Sequence, residues 1–241
     1  MSWALVQTAS GTNDASAFGI PIVASGFPGN VTSGNLLVAA VVWDYSNAGY
    51  ADSSSVTDSR GNTWTYANSA SAFDTTNFQA SKLYYAIANA TGSLSVSGNW
   101  TVDNSQGVTF MRIIVSEFSG NSTTPFDSAS GRFNSVGSTN VDGVLSQAIT
   151  PSQAGSLIFS ATEDSIGAGT WSPGTGYEKI GTATDLSTEW FEQAVAASIS
   201  GKWTYGSSHA NTTHVAAFKP LVAGGWPAFQ GNFKTLMMAG D

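Results

Sequence analysis

The side chains able to move a proton or hold a cation are few in this sequence. The two histidines, His209 and His214, stand close together in a segment read as a loop and a strand. Glu117, Glu163, Glu189 and Glu192 sit on or beside apolar runs. Two facing carboxyl groups suffice for glycoside hydrolysis, one as acid and one as base or nucleophile. Glu117 follows one apolar run and Glu163 ends a similar one, so both are expected at equivalent edges of a sandwich. A carboxylate at a strand end is ordinarily solvated or paired with a lysine. A serine hydrolase needs a Gly-x-Ser-x-Gly elbow and a histidine base. No elbow is present, and the two histidines are expected to be exposed or hydrogen-bonded. With no cysteine and no His-Glu-x-x-His, zinc chemistry has no ligand set. Asp58-Ser-Arg-Gly-Asn62 offers oxygen ligands to calcium, but the same residues make an Asx-type turn. No phosphate cradle of the Gly-x-Gly-x-x-Gly or Walker type occurs. The expectation is a non-enzyme with no cofactor, metal or catalytic residue.

Aromatic side chains are the other chemically useful set. Trp43, Tyr45, Tyr50, Trp64 and Trp100 would stack on sugar rings if exposed. Tryptophans of a β-sandwich more often pack in its interior.

These residues hang on a framework of short strands. Leu36 to Trp43 is the most apolar run, with the length and β-branched content of a fully buried strand and far too short to span a bilayer. Its opening phrase returns at Ala154-Gly-Ser-Leu-Ile-Phe-Ser-Ala-Thr. Further echoes follow in order. Trp190 to Ala197 matches Leu83 to Ala88, Ile199 to Tyr205 matches Val96 to Trp100, and His214 to Lys219 matches the end of Val108 to Phe118. Residues 3–8, 18–24 (an edge strand, because of Pro21) and 93–100 also read as strands. Ser55 to Ala67 reads as a hairpin turning at Asp58, Gly61 and Asn62. Helical spacing is absent from residues 1–219. The expected fold is therefore all-β: a two-sheet jelly-roll or Greek-key sandwich over residues 1–219, built of two quasi-repeated halves (about 1–125 and 126–219), with a short C-terminal arm at 220–241. In that arm Trp226, Phe229, Phe233, Leu236 and Met237 follow the spacing of a short amphipathic helix. It packs back on the sandwich, docks on another subunit or stays disordered.

Bulk properties agree with a folded, weakly charged module. The chain of 241 residues is 41% hydrophobic but only 10% charged, so Ser, Thr, Gly and Asn must carry the surface. The net charge is −8 and the basic residues are scattered singly, which argues against nucleic acid and against anionic membranes. The N-terminus has no basic n-region and no sustained apolar h-region, so either synthesis and assembly in the cytoplasm or prior removal of a signal is expected.

The phrases Gly-Asn-Leu-Leu-Val-Ala (34–39), Val-Thr-Asp-Ser-Arg-Gly-Asn-Thr-Trp (56–64), Leu-Tyr-Tyr-Ala (83–86), Val-Ser-Glu-Phe-Ser-Gly (115–120) and Ala-Ala-Phe-Lys-Pro (216–220) resemble a β-sandwich module of bacterial surface proteins and phage virion proteins. The resemblance covers roughly residues 30–220 and brings no catalytic residues. It implies a capsid decoration (cement) protein: a virion structural protein, assembled in the host cytoplasm as a homotrimer, that contacts the major capsid protein or another virion protein. Trp3, Trp226, Phe229, Phe233, Leu236 and Met237 are the expected anchors. The alternative is a carbohydrate-binding or host-attachment module of a surface or tail-fibre protein.

Overall fold

Leu36 to Val42 line up with every side chain buried, and that run shows how the layers stack. The computed structural model describes residues 2–14, 21–45, 54–74, 79–100, 108–134, 138, 140–164, 170–206 and 209–221. The first half of the chain forms β1 (Ala4–Asn13), β2 (Ile22–Ala24), β3 (Leu36–Tyr45), β4 (Ser54–Asp58), β5 (Thr65–Asp74), β6 (Gln79–Ile87), β7 (Val96–Trp100) and β8 (Val108–Ser119). The second half forms β9 (Asn121–Asn134), β10 (Val144–Leu145), β11 (Ser156–Asp164), β12 (Trp171–Pro173), β13 (Glu178–Ala183), β14 (Leu186–Gln193), β15 (Lys202–Tyr205) and β16 (Asn211–Pro220). All pairings are antiparallel.

The strand order repeats. In the first half a sheet β1-β8-β3-β6-β5 faces a small sheet β2-β7-β4. In the second half β9-β16-β11-β14-β13 faces β10-β15-β12, the same order with each strand moved on by one half. The all-β sandwich expected from the sequence is what forms, as a stack of four sheets. The two five-stranded sheets lie back to back in the middle, and a three-stranded sheet covers each outer side.

This stacking explains the unbroken apolar runs. An antiparallel sheet usually has one solvated face and an alternating pattern. Here β3 sends Leu37, Ala39, Val41 and Trp43 towards the small sheet of its own half. Its Leu36, Val38, Ala40 and Val42 go into the seam between the halves. In β11, Leu157, Phe159 and Ala161 enter the same seam, while Ile158 faces the other way. Aromatic edges interlock across the seam: Phe118 meets Phe159 at 6.3 Å and Trp190 at 5.6 Å between ring centroids. Both central strands are launched by a glycine in the left-handed region, Gly34 (φ 89°) and Gly155 (φ 76°), where a side chain would be strained.

Two sequence readings change. Ser55 to Ala67 is no hairpin: β4 pairs with β7 and β5 with β6, so residues 59–64 carry the chain from one sheet to another. Asp58 makes that arch, because its carboxyl accepts N–H bonds from Arg60, Asn62 and Trp64 and folds the segment on itself instead of letting the flanks pair. Residues 119–127 read as the segment leading out of the first half, but Asn121–Asn134 form the long strand β9, whose register on β16 supplies the pattern its own sequence lacks. Trp171 opens a further short strand, β12, absent from the sequence reading. The helix expected in the arm lies outside the described residues. Among the described residues no helix is long and apolar enough to cross a membrane.

Since the seam holds the halves together, truncating it should be costly. Phe159→Ala removes a fully buried ring and is expected to destabilise by about 3–5 kcal/mol, measured by denaturant unfolding. Val141→Ala, at a position 76% exposed, should stay within about 0.5 kcal/mol.

Candidate functional site

The strand glutamates are the first candidates, and the fold separates them. Glu117 lies near the β3-launching end of β8 on the face turned towards the small sheet. It is fully buried and accepts bonds from Gln7 Nε2 (2.5 Å), Thr32 N (2.8 Å) and Asn35 Nδ2 (2.7 Å), tying β1 and the loop before β3 to β8. Glu163 lies at the other end of β11 and faces the seam. The two therefore share neither an end nor a face, and they do not form a hydrolytic pair. Glu189 is buried inside the second half, accepting the backbone N–H groups of Gly174 (2.9 Å) and Lys202 (3.2 Å). Glu192 accepts the backbone N–H of Trp3 at 3.0 Å.

Register shows why these acids are structural. Leu36 and Leu157 are equivalent, since each pairs with the phenylalanine near the end of its neighbour, Phe118 or Phe218. Counting along, Ser160, Glu163 and Asp164 replace Ala39, Val42 and Trp43. Across the ladder Glu189 replaces Tyr84, and His214 replaces Ile114. Trp43 packs edge-on to Trp100 at 5.7 Å in the first half. In the second half the same layer is bound by hydrogen bonds, Trp203 Nε1 to Ser160 Oγ at 2.9 Å and Tyr205 Oη to Asp164.

The seam turns polar at one end. Ser81 Oγ is 2.5 Å from His214 Nε2 and donates to Thr212 Oγ1 at 2.7 Å. This serine–histidine contact has nucleophile–base spacing, yet each residue is 1% exposed and His214 Nδ1 has no hydrogen-bond partner. No substrate reaches it and no carboxylate orients it, so it is a cross-seam strut. Gly131 makes room for it: a Cβ there would sit 2.8 Å from His214 Nδ1 and 2.1 Å from the Ser71 carbonyl. Beside it Arg112, buried, bonds Asp185 at 2.8 Å and Asp14 at 2.6 Å. Neither oxygen of Glu163 has a hydrogen-bond partner. Burial, then the Asp185, Asp44 and Asp164 carboxyls, raise its pKa well above the ordinary range.

The remaining sequence candidates are placed as follows. Asp58 accepts Arg60 N (2.8 Å), Asn62 N (3.2 Å), Asn62 Nδ2 (2.9 Å) and Trp64 Nε1 (2.6 Å). Four donors aimed at one carboxyl are the environment of an Asx-type turn, and they occupy the oxygens a calcium ion would need. Among the described residues no group of three or more His, Asp or Glu side chains is placed to hold a metal. Trp43 and Trp100 are buried, and Trp64 is half-buried against the first-half core. The side chains of Tyr45 and Tyr50 lie outside the described residues. His209 is half-buried with Nδ1 unpartnered. Trp3 is 4% exposed, with its indole N–H donated to the Gly155 carbonyl at 2.8 Å, so it closes the seam within the chain. Trp226, Phe229, Phe233, Leu236 and Met237 lie outside the described residues.

The sequence reading missed an open cleft. A cleft of about 520 Å³ lies where the halves meet, lined by the turn at Gly61 and Thr63, by Thr65, by Tyr85, Ala86, Ile87 and Asn89 on and after β6, and by Thr123 to Phe126 on β9. Tyr85 lies flat on Phe126 (centroids 5.2 Å apart, planes at 6°) and edge-on to Phe218. The signal in the sequence was the Thr-Thr-Pro-Phe phrase, whose position beside Tyr85 depends wholly on β9 joining β16.

Protein-family models, curated proteins and solved structures give no match to the chain.

The buried groups make stability depend on pH in two directions. Burial lowers the pKa of His214 to about 3. The unfolded chain takes up that proton near pH 6.5, so this contribution is complete above 6.5 and is lost as pH falls towards 3. Burial raises Glu189 to about 8, against the lowering pull of its hydrogen bonds. Its contribution is complete below the ordinary glutamate value of 4.5 and is lost as pH rises through about 8. Unfolding free energies measured across pH should show both limbs. His214→Ile, which installs the residue of the equivalent position 114, should flatten the acid limb, and Glu189→Gln the alkaline one.

Proposed function

We propose that this protein is a non-enzymatic structural component of a virion, decorating or cementing a phage capsid through protein–protein contacts. The observation that carries this reading is the use made of its reactive side chains. Glu117, Glu189, Glu192, His214 and Arg112 are each bonded into the framework, and Glu163 is sealed in the seam. A fold that immobilises its acids and bases in this way is suited to carrying load, not to turnover. The phrases shared with virion β-sandwich modules support the same reading, as a fold-level analogy.

The arm is the natural docking element. The chain is still tied to the sandwich at Pro220, opposite Asn121, and at Leu221, whose N–H donates to the Gly120 carbonyl at 2.6 Å. Beyond this point the sequence carries Trp226, Phe229, Phe233, Leu236 and Met237, the aromatic and aliphatic types that dominate interface energetics. Trp3 is spent inside the chain, so the arm supplies the anchors. The partner is the major capsid protein or another virion protein, and the decorating unit is a homotrimer assembled in the host cytoplasm.

A chain ended at Leu221 should keep the melting behaviour of the sandwich and lose co-sedimentation with capsid shells. Full shell binding by that truncated chain would overturn the arm's role.

A further inference from the structure

We infer that the cleft between β6 and β9 is a binding site for an uncharged saccharide, and that it takes a pyranose ring against Tyr85. The inference goes beyond the structural role above and does not depend on it.

The first argument comes from comparing the halves. Tyr85 pairs with Val38, and Trp190 pairs with Phe159, the residue equivalent to Val38. In the same way Ile87 corresponds to Glu192, and Phe126, opposite Phe218, corresponds to Leu5, opposite Phe118. So the strip of β6 that lines the cleft has a counterpart on β14. That counterpart is covered: the Trp3 backbone N–H bonds Glu192 and its indole N–H bonds the Gly155 carbonyl. On the cleft side the equivalent carbonyl, Gly34, is bonded instead by Asn121 Nδ2 at 3.0 Å. Asn121 reproduces the hydrogen bond but supplies no ring. The chain then slips register, with Asn121 opposite Pro220 and Phe126 opposite Phe218, and Thr123 and Thr124 are left exposed at the rim. A strip roofed by a flat ring in one half is open in the other.

The second argument is the chemistry of the lining. Thr63, Thr65, Thr123, Thr124 and Tyr85, all hydroxyl-bearing, are among the residues that line the cleft, and no charged residue is among them. Hydroxyls that both donate and accept match the alternating hydroxyls of a sugar. The absence of charge favours a neutral ligand over an acidic one. Tyr85 is held flat by Phe126 and Phe218, and the electron-rich face of such a ring attracts the C–H face of a pyranose. The volume, about 520 Å³, is within the range of small-molecule sites, roughly 300–1,000 Å³.

The test is calorimetric titration of the full chain with three neutral disaccharides, cellobiose, maltose and diacetylchitobiose, against digalacturonate as the acidic control. At least one neutral probe is expected to bind with a Kd on the order of 1 mM or tighter. Thr124→Trp, which restores a ring over the strip from an exposed position, should weaken that binding at least tenfold. Tyr85→Phe combined with Thr63→Val and Thr65→Val should weaken it severalfold. Melting temperatures should be unchanged, because the ring stack is kept and the two threonines are exposed. Binding of none of the neutral probes overturns the inference, as does binding indifferent to Thr124→Trp or a preference for digalacturonate. Sugar binding that appears only in the chain ended at Leu221 also overturns it, since the arm would then be the occupant. Loss of shell binding is read separately, on the arm, so either reading can fail without the other.

Discussion

The burial of two five-stranded sheets against one another is the constraint from which the rest of the architecture follows. Neither sheet can face water on its seam side, because Leu36, Val38, Phe118, Leu157, Phe159 and Phe218 all lie there. Each sheet is also covered on its outer side, so its central strands need apolar residues on both faces. The seam is closed at its edges by particular devices: Trp3 over the second half, and β5 lying close to β9 where Gly131 permits it. Its polar end is bridged by Ser81, His214 and Thr212 and by the Arg112–Asp185 pair. A buried ion pair of this kind contributes little net stability, but breaking one partner leaves an uncompensated charge, so it constrains how the sheets align.

The two halves share a strand order yet hold their outer layers by different physics. In the first half Trp43 and Trp100 fill the space between sheets by contact. In the second, Ser160, Asp164 and Glu189 occupy the equivalent positions of Ala39, Trp43 and Tyr84 and bind the small sheet through hydrogen bonds. Apolar packing tolerates sliding, whereas a satisfied polar network specifies one arrangement. β10 and β12 are only two and three residues long. Strands that short have few ladder bonds, and the polar network fixes them where ladder length does not.

This use of charge also shapes the functional reading. The acids that suggest hydrolysis in the sequence are buried or hydrogen-bonded in the frame. That is the ground on which binding, through the arm or through the cleft where the symmetry of the halves is broken, is proposed as the protein's role.

Much of this was legible in the sequence. The apolar run 36–43, its echo at 156–162 and the ordered echoes after it identified an all-β chain of two like halves, because strand composition and spacing are local properties. The roles of individual residues were not local. Whether Glu117 and Glu163 face each other depends on the pairing of β8 and β11 in different sheets. Trp3 looked like an exposed anchor because nothing nearby in sequence covers it, and it is covered by residues near 155 and 192. The arch at Asp58 resembled a hairpin because turn chemistry is the same in both, and only the better partners offered by β6 and β7 send its flanks to different sheets. The cleft is the clearest case: Tyr85 and Thr124 become neighbours through β9 pairing with β16, a contact between distant parts of the chain that tertiary structure alone decides.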